Sequence, residues 1–350
     1  MLIQEHVPLA SLTTLGVGGP ARYFVEARSQ AEVIGAVEFA RSRELPLFVL
    51  GGGSNLVVAD AGFSGLVLKI GITGSSYSAT PRGIVLFNAG AGVDWDTLVA
   101  QTVGANCAGL ECLSGIPGTV GGTPVQNVGA YGQEVSETIR EVQALDLRSM
   151  ETRMLSNAEC SFAYRSSIFN TTERNRYIIL QVSFGLREGS KPGIRYPDLQ
   201  KFFAEHAGDP TITEVRAAVR EIRHRKAMLI VPGDDDALSA GSFFKNPVVP
   251  QSFFEELATR LESHRLQLPS YPAADGYRKL PAAWLVEHSG FVKGYTKGAA
   301  GISRKHALAI INRGGATAAE ILALKDEIQE LVQDKFGIQL VPEPVFVGFS

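Results

Sequence analysis

Ser242 stands in the stretch SAGSFFKNP, residues 239–247, after a glycine and before two phenylalanines. A hydroxyl there could serve as a nucleophile or give up a proton. The hydrolase elbow needs Gly-x-Ser-x-Gly, whose small residues permit a strained strand-to-helix turn. Here Phe244 occupies the second glycine position. A nucleophilic serine also needs a base. The histidines are His6, His206, His224, His264, His288 and His306, and none stands in a recognisable triad context. The simplest structural reading is a serine–glycine loop entering a buried strand. Phe243 and Phe244 would anchor it and dry its surroundings.

Two glycine-rich passages have a different chemistry. Gly51, Gly52, Gly53, Ser54 and Asn55 follow an apolar strand, a setting that turns backbone amides toward an anion. The passage is neither Walker A nor the dinucleotide fingerprint. A tight turn explains it equally well, as it explains Gly16–Gly19 and Gly90–Gly92. The second passage is Ser114, Gly115, Ile116, Pro117, Gly118, Thr119, Val120, Gly121 and Gly122, followed by Gln126, Asn127, Val128, Gly129, Ala130, Tyr131 and Gly132. Such a surface can wrap a large, flat, polar-edged ligand and its pyrophosphate. A core role explains it poorly, because glycine supplies no apolar area to bury. Asp234, Asp235 and Asp236 could bind a metal, but three consecutive carboxylates read as a solvated turn, and no metal is expected.

These residues must be positioned by secondary structure. Ala21–Ala27 reads as a strand. Ser29 and Glu32 spell a capping box, with Val33, Ile34 and Val37 at helical spacing behind it. A buried strand, 46–50, leads into the first glycine run. From 66 to 186 the pattern is mostly strands (66–70, 84–89, 141–147 and 177–186), interrupted by a helix from Asp94 to Val103. A helix follows from Thr213 to Lys226. Residues 232–242 read as a linker into a third unit with helices at 251–263 and 281–289 and a strand at 307–312. Its long helix is capped by Thr317 and Glu320, striped by Ile321, Leu324, Ile328, Leu331 and Val332, and closed by Gly337. Residues 338–349 look like strand broken at Pro342 and Pro344.

The whole chain bounds the answer. It has 350 residues, 45% of them hydrophobic, which is enough for two or three domains with a sizeable core. A net charge of −3 gives no pull toward nucleic acid or anionic membrane. The N-terminus lacks a secretory pattern, and no apolar run reaches the roughly 18 residues of a membrane span. Three cysteines, Cys107, Cys112 and Cys160, without a C-x-x-C pair argue against disulfides or zinc and for a reducing cytoplasm.

GGGSN, GAGVDWDTLV (90–99), SGIPGTVGGTPVQNVGAYG and GSFFKNP occur in this order. In that, the chain resembles the UDP-N-acetylenolpyruvoylglucosamine reductases, from about Leu12 to Gly348. The resemblance implies an α+β protein with the FAD-binding fold of the vanillyl-alcohol-oxidase/PCMH type, built of two α/β subdomains, plus a C-terminal α+β substrate domain. The implied boundaries are 1–70 and 71–230 for the FAD-binding subdomains and 231–337 for the substrate domain, with 338–350 packing on the first. It implies non-covalent FAD, NADPH as co-substrate, and reduction of the enolpyruvyl ether of UDP-N-acetylglucosamine to UDP-N-acetylmuramate for peptidoglycan. The enzyme would be a cytoplasmic monomer.

The family's residues carry over by position. Ser242 would be the proton donor, and Arg165, in YRSSIF (164–169), would grip the substrate carboxylate. Glu343 would sit against that carboxylate, which requires it to be protonated or to share a proton. FAD would be held by Gly51, Gly52, Gly53, Ser54, Asn55, Ser114, Gly115, Ile116, Pro117, Gly118, Gly121, Gly122, Gln126, Asn127, Gly129, Tyr131 and Arg223. Tyr164, Tyr196, Lys226 and Asn246 would bind substrate, Tyr196 marking the subtype with a closing loop. Read as residues alone, Arg165 is a surface arginine, Glu343 a loop carboxylate, and Arg223 with Lys226 a basic helix end favoured by the dipole. Three other readings stand beside this one: an oxygen-using flavin oxidase, a UDP-sugar binding protein and a serine hydrolase.

Overall fold

The computed structural model describes residues 1–80, 83–231, 233–263 and 265–349, and only the backbone of Asp235. Pro232 and His264, both noted in the sequence, lie outside the described residues. The chain forms two compact units. Unit 1 comprises 1–7, 20–53 and 63–230; unit 2 comprises 8–19, 54–62 and 231–350. Residues 8–19 and 54–62 thus group with the C-terminal part, although the sequence reading assigns them to the first subdomain.

Unit 1 holds two large sheets and a short two-stranded ribbon, Gly129–Ala130 with Gln133–Glu134. In the first, the strand order is Gln4–Pro8, Pro20–Ala27, Phe63–Ile70, Leu47–Leu50. Its last three strands run parallel, with Val25 and Val49 both opposite Leu68. Helix α1 (Gln30–Ser42) buries Val33, Ala36, Val37 and Ala40. Its cap differs from the expected box. Ser29 Oγ accepts from Glu32 N at 3.2 Å, but the Glu32 carboxylate reaches back to Arg28 N at 2.7 Å instead of Ser29 N. The second sheet runs Glu151–Ser156, Ile139–Asp146, Tyr177–Glu188, Ile84–Gly90, Ser75–Ala79. Its central strand, YIILQVSFGLRE, is buried over most of its length, as expected for a β-branched and aromatic run with neighbours on both sides.

Two further helices position the glycine-rich passage. Helix α2 (Trp95–Gly104) is capped by Asp94, whose carboxylate accepts from Thr97 N at 2.8 Å. Trp95 is fully buried against Phe184 and donates Nε1–H to Leu113 O at 3.0 Å. After the short helix α3 (Pro197–Phe202), helix α4 (Ile212–Arg225) opens with a complete capping box between Thr211 and Glu214. Its buried face, Val215, Ala218, Val219 and Ile222, packs with Cys112, Tyr131 and Leu199.

Unit 2 carries helices α5 (Gln251–Glu262), α6 (Ala282–His288) and α7 (Ala318–Phe336) around small sheets. Helix α7 keeps its capping box and ends at Gly337 with φ +72°. Asp60 adds a carboxylate that accepts from Ala318 N at 2.7 Å and Ala319 N at 3.0 Å, a favourable place for negative charge. Ile321, Leu324, Ile328 and Val332 are buried, but Leu331 is exposed, so the stripe is narrower than expected. The C-terminal strand contracts to Val345–Val347, which pairs in parallel with Leu56–Val58.

Candidate functional site

In unit 1 the two glycine passages meet. A Cβ on Gly52 would stand 2.6 Å from Gly118 Cα, so only glycine permits this backbone approach. Gly51 faces Thr119 Oγ1, which is buried with no hydrogen-bond partner among the described residues. A buried hydroxyl without a partner calls for an explanation, and a bound ligand supplies one. Gly121 is held by its N–H on Ala91 O at 2.9 Å and Gly122 by its N–H on Thr119 O at 2.9 Å. Gly118 O accepts from Trp95 N at 3.1 Å, which ties the loop to the start of α2. Ile116 packs on the core.

The stretch Ser114–Gly115 is pinned from below. Gly115 N donates to Asp96 Oδ1 at 2.6 Å. Arg216 forks onto the same carboxylate at 2.7 and 2.9 Å and also reaches Ser114 Oγ at 2.9 Å. Burial pushes the Asp96 carboxyl up, but hydrogen bonds from Arg216 and Gly115 and the charges of Arg216 and Arg220 outweigh it and hold the group below its ordinary value. Arg223, only 4% exposed, donates to Gly115 O at 3.1 Å and to Met228 O at 2.5 Å. Burial lowers the pKa of its guanidinium, opposed by Tyr131 and Asp96. Sequence reasoning did not single out Asp96 or Arg216. Their signal was the helical register that faces each toward the loop, visible only once the loop is placed.

The remaining unit 1 candidates gather around Tyr131. It packs edge to face on Tyr196 at 5.4 Å, and burial raises its hydroxyl pKa against the pull of Arg223 and Lys226. Tyr196 leads into α3, and Lys226 reaches Asp198 of that helix at 2.5 Å. Arg165 donates to Gly129 O at 2.9 Å and lies 5.6 Å from the exposed Tyr164 ring. Asn127 spends its side chain inside the protein, donating to Glu134 and Ala163 O and accepting from Ser136 N. Gln126 is half-buried in the same loop.

Unit 2 brings together Ser242, Glu343, Ser54 and Asn55. Phe243 O accepts from Glu343 N at 2.9 Å, and Lys245 N donates to Val341 O at 2.9 Å, so the two segments run side by side. Asn55 Nδ2 donates to Glu343 O at 3.2 Å, and Asn55 O accepts from Val345 N at 2.9 Å. Ser54 O accepts from Thr14 Oγ1 at 3.4 Å. Asn55 therefore braces the segment that carries Glu343. Phe243 and Phe244 are buried anchors, as expected. Gly241 has φ +76° with open space around it, so it is required for its conformation and not for close approach. Asn246 Oδ1 accepts from Ala282 N at 2.9 Å, at the first turn of α6.

One neighbour of Ser242 was missed. His306 Nε2 lies 3.0 Å from Ser242 Oγ. The aspartate run also differs from its expected solvated turn. Asp236 is 1% exposed and accepts from Ser303 Oγ at 3.1 Å and Arg304 N at 2.9 Å. Among the described residues no group of three His, Cys, Asp or Glu could hold a metal, and no helix is long and apolar enough to cross a membrane.

Comparison with known proteins adds to this geometry. Residues 21–150 match the family described as FAD binding domain, and residues 234–347 match UDP-N-acetylenolpyruvoylglucosamine reductase, C-terminal domain. The UDP-N-acetylenolpyruvoylglucosamine reductase of Thermobifida fusca (strain YX) is 47% identical over 352 residues, covering 99% of this chain and 98% of its own. That of Streptomyces avermitilis is 46% identical over 355 residues, covering 99% and 96%. The crystal structure of UDP-N-acetylenolpyruvylglucosamine reductase from Thermus caldophilus superposes with a TM-score of 0.67 at 26% identity, covering 99% of this chain and all of that one.

Proposed function

We propose a function from one premise: the chain belongs to the UDP-N-acetylenolpyruvoylglucosamine reductase family. It is an FAD-dependent oxidoreductase that uses NADPH to reduce the enolpyruvyl ether of UDP-N-acetylglucosamine to UDP-N-acetylmuramate, in peptidoglycan precursor synthesis. Its fold is the FAD-binding fold of the vanillyl-alcohol-oxidase/PCMH type with a C-terminal α+β domain. The residues of unit 1 fit FAD. The backbone approach of Gly52 to Gly118 leaves a face without side chains, and Thr119 Oγ1 is a buried hydroxyl awaiting a partner. No histidine or cysteine stands at 51–55 or 114–131 to form a covalent link. Gly51, Gly52, Gly53, Ser54 and Asn55, Ser114 to Gly118, Gly121, Gly122, Gln126, Asn127, Gly129, Tyr131 and Arg223 would hold the cofactor.

When bound, FAD supplies to the substrate's terminal vinyl carbon the hydride it has taken from NADPH. The neighbouring carbon then carries negative charge shared with its carboxylate, and it must gain a proton. Ser242 gives that proton. A hydroxyl is a weak acid, but such a carbon is a strong base, so the transfer runs downhill once the two are positioned. Arg165 grips the carboxylate through paired, charge-assisted hydrogen bonds, and Glu343 meets the same group. Tyr164, Tyr196, Lys226 and Asn246 bind the rest of the substrate. Phe243 and Phe244 keep water from the serine.

The observation that carries this reading is the Glu343 N to Phe243 O bond of 2.9 Å, which sets the proton donor one residue along from the backbone partner of Glu343. We further propose 1–70, with 338–350 packed on it, and 71–230 as the FAD-binding subdomains and 231–337 as the substrate domain, although 8–19 and 54–62 group compactly with 231–350. The three free thiols and the nicotinamide co-substrate support a cytoplasmic location, and we propose a monomer, which sedimentation tests.

The test is anaerobic stopped-flow absorbance with Ser242→Ala. Flavin reduction by NADPH stays unchanged, and reoxidation by UDP-N-acetylenolpyruvoylglucosamine slows by about 10²-fold or more, the usual scale for a lost general acid. Equal slowing of both halves would make the serine structural and sink the assignment.

A further inference from the structure

We infer that His306 is the positioning residue for the Ser242 proton: its Nε2–H donates to Ser242 Oγ and thereby turns the serine's own hydrogen toward the substrate carbon. The inference rests on the reading of Ser242 as proton donor. Its observation is the 3.0 Å separation of His306 Nε2 from Ser242 Oγ.

A serine hydroxyl has one hydrogen and two lone pairs, and an imidazole nitrogen is a donor or an acceptor by tautomer. Two arrangements therefore satisfy the same distance. If Nε2 is bare, it accepts the serine hydrogen. The hydroxyl then has nothing left to give the substrate, and the pair is that of a nucleophile with its base. If Nε2 carries hydrogen, Oγ accepts, and the serine hydrogen is free to point elsewhere. The same Nε2–H then stabilises the charge that builds on Oγ while its proton leaves, a charge-assisted contact stronger than the resting one. Only the second arrangement suits a proton donor. In the transfer, the Ser242 O–H bond breaks as the substrate C–H bond forms, and water restores the proton to Oγ after product leaves.

The fold fixes the backbone turn that carries His306 by several bonds of its own unit. Phe243 N donates to Leu308 O at 2.8 Å, which sets residues 306–308 alongside the serine. Ser303, fully buried, accepts through its hydroxyl from Lys305 N at 3.0 Å and His306 N at 3.2 Å and donates to Asp236 at 3.1 Å. Ser303 N donates to Ala309 O at 2.9 Å and Ala309 N to His306 O at 3.1 Å, closing the turn. Lys305 Nζ meets Asp234 at 2.7 Å. The aspartate run is thus a clasp on the histidine's turn. A turn fastened at both shoulders fixes where the histidine's Cα stands beside Ser242, the starting point for directing a single hydrogen.

The test compares two amides on the FAD-loaded enzyme. Glutamine places its side-chain nitrogen near the position of Nε2; asparagine stops near that of Nδ1. His306→Asn slows flavin reoxidation by the enolpyruvyl substrate about tenfold or more, the scale of one misdirected hydrogen bond, and leaves substrate affinity and flavin reduction by NADPH unchanged. His306→Gln recovers most of the lost rate. The solvent deuterium isotope effect on reoxidation rises in the Asn variant, because proton transfer becomes the slower event. A fluorophosphonate leaves Ser242 of the native enzyme unlabelled. Equal rates in wild type and both variants would overturn the inference. So would a loss confined to affinity, equal loss in Gln and Asn, or labelling of Ser242, which would mean that Nε2 takes the hydroxyl proton. A Ser242→Ala enzyme that reoxidises normally would instead overturn the underlying role of the serine, whatever the histidine variants do.

Discussion

A Cβ on Gly52 would stand 2.6 Å from Gly118 Cα and 2.9 Å from Gly118 C. The obstacle is backbone, which cannot rotate aside as the tip of a side chain can. Gly52→Ala must therefore part the two glycine passages or strain them, at a cost of about 1–3 kcal/mol, as for other overpacked sites. Because these passages are the proposed flavin cradle, FAD affinity falls about tenfold for each 1.4 kcal/mol that reaches the site. Fluorescence of released flavin on dilution measures it. An alanine variant that retains FAD like wild type would place the cofactor elsewhere.

Cys107, Cys112 and Cys160 are fully buried. Burial pushes all three thiols up, Cys160 to about 12, with nearby glutamates adding to the effect. The thiolate is the reactive species. At pH 8 a thiol titrating at about 12 is ionised to about one part in ten thousand. Iodoacetamide at pH 8 should leave the native protein unmodified by mass, while the unfolded chain takes three adducts. Modification of the native protein would show that a thiol reaches solvent.

Local chemistry was legible in the sequence wherever cause and effect lie within a few residues. The α7 capping box, its Gly337 terminus and the Phe243–Phe244 anchor all form as read. Asp236 and His306 were not legible, because their partners, Ser303 and Ser242, lie more than sixty residues away and only tertiary register joins them. Glu32 shows a subtler limit. The right residue caps the right helix but reaches Arg28 N, since a flexible carboxylate can choose between adjacent amides. The proposed site residues come from motif resemblance; the roles of Asp96, Arg216 and Asp236, which brace the loops around them, do not, because a charged residue gives no sign in sequence of which distant segment it will pair with.

Lys226 and Asp198 form an ion pair 2.5 Å apart whose side chains are 40% and 38% exposed. Such a solvent-exposed pair contributes about 0–1 kcal/mol. Lys226→Met should therefore shift stability by less than about 1 kcal/mol. If Lys226 binds substrate, the same variant raises KM for the UDP-sugar while Tm stays put, and added salt raises the wild-type KM in the same direction. A lowered Tm with unchanged KM would make the lysine a strut for α3.

Asp96 offers a prediction whose sign depends on pH. Its carboxylate accepts from Gly115 N at 2.6 Å and from Arg216 at 2.7 and 2.9 Å. Its folded pKa lies below the ordinary carboxylate value; burial raises it, and the hydrogen bonds and arginine charges more than reverse that. A carboxyl whose pKa falls on folding contributes stability that is fully present above its unfolded pKa, about 3.9, and is lost as pH falls through the folded value. Asp96→Asn removes the charge while nearly keeping the shape; it leaves one weaker acceptor oxygen and turns an amide N–H toward donors that the second carboxylate oxygen had satisfied. At pH 7 the variant should be less stable by about 1–3 kcal/mol, the usual loss when buried donors lose their partner. As pH falls below about 4 the gap should start to shrink, and the two proteins should meet only below the folded pKa of Asp96, where its carboxyl is neutral in both states. Urea unfolding at several pH values gives the difference directly. A gap that stayed constant down to the acid limit would show that packing, and not the charge of Asp96, holds the Ser114–Gly115 loop.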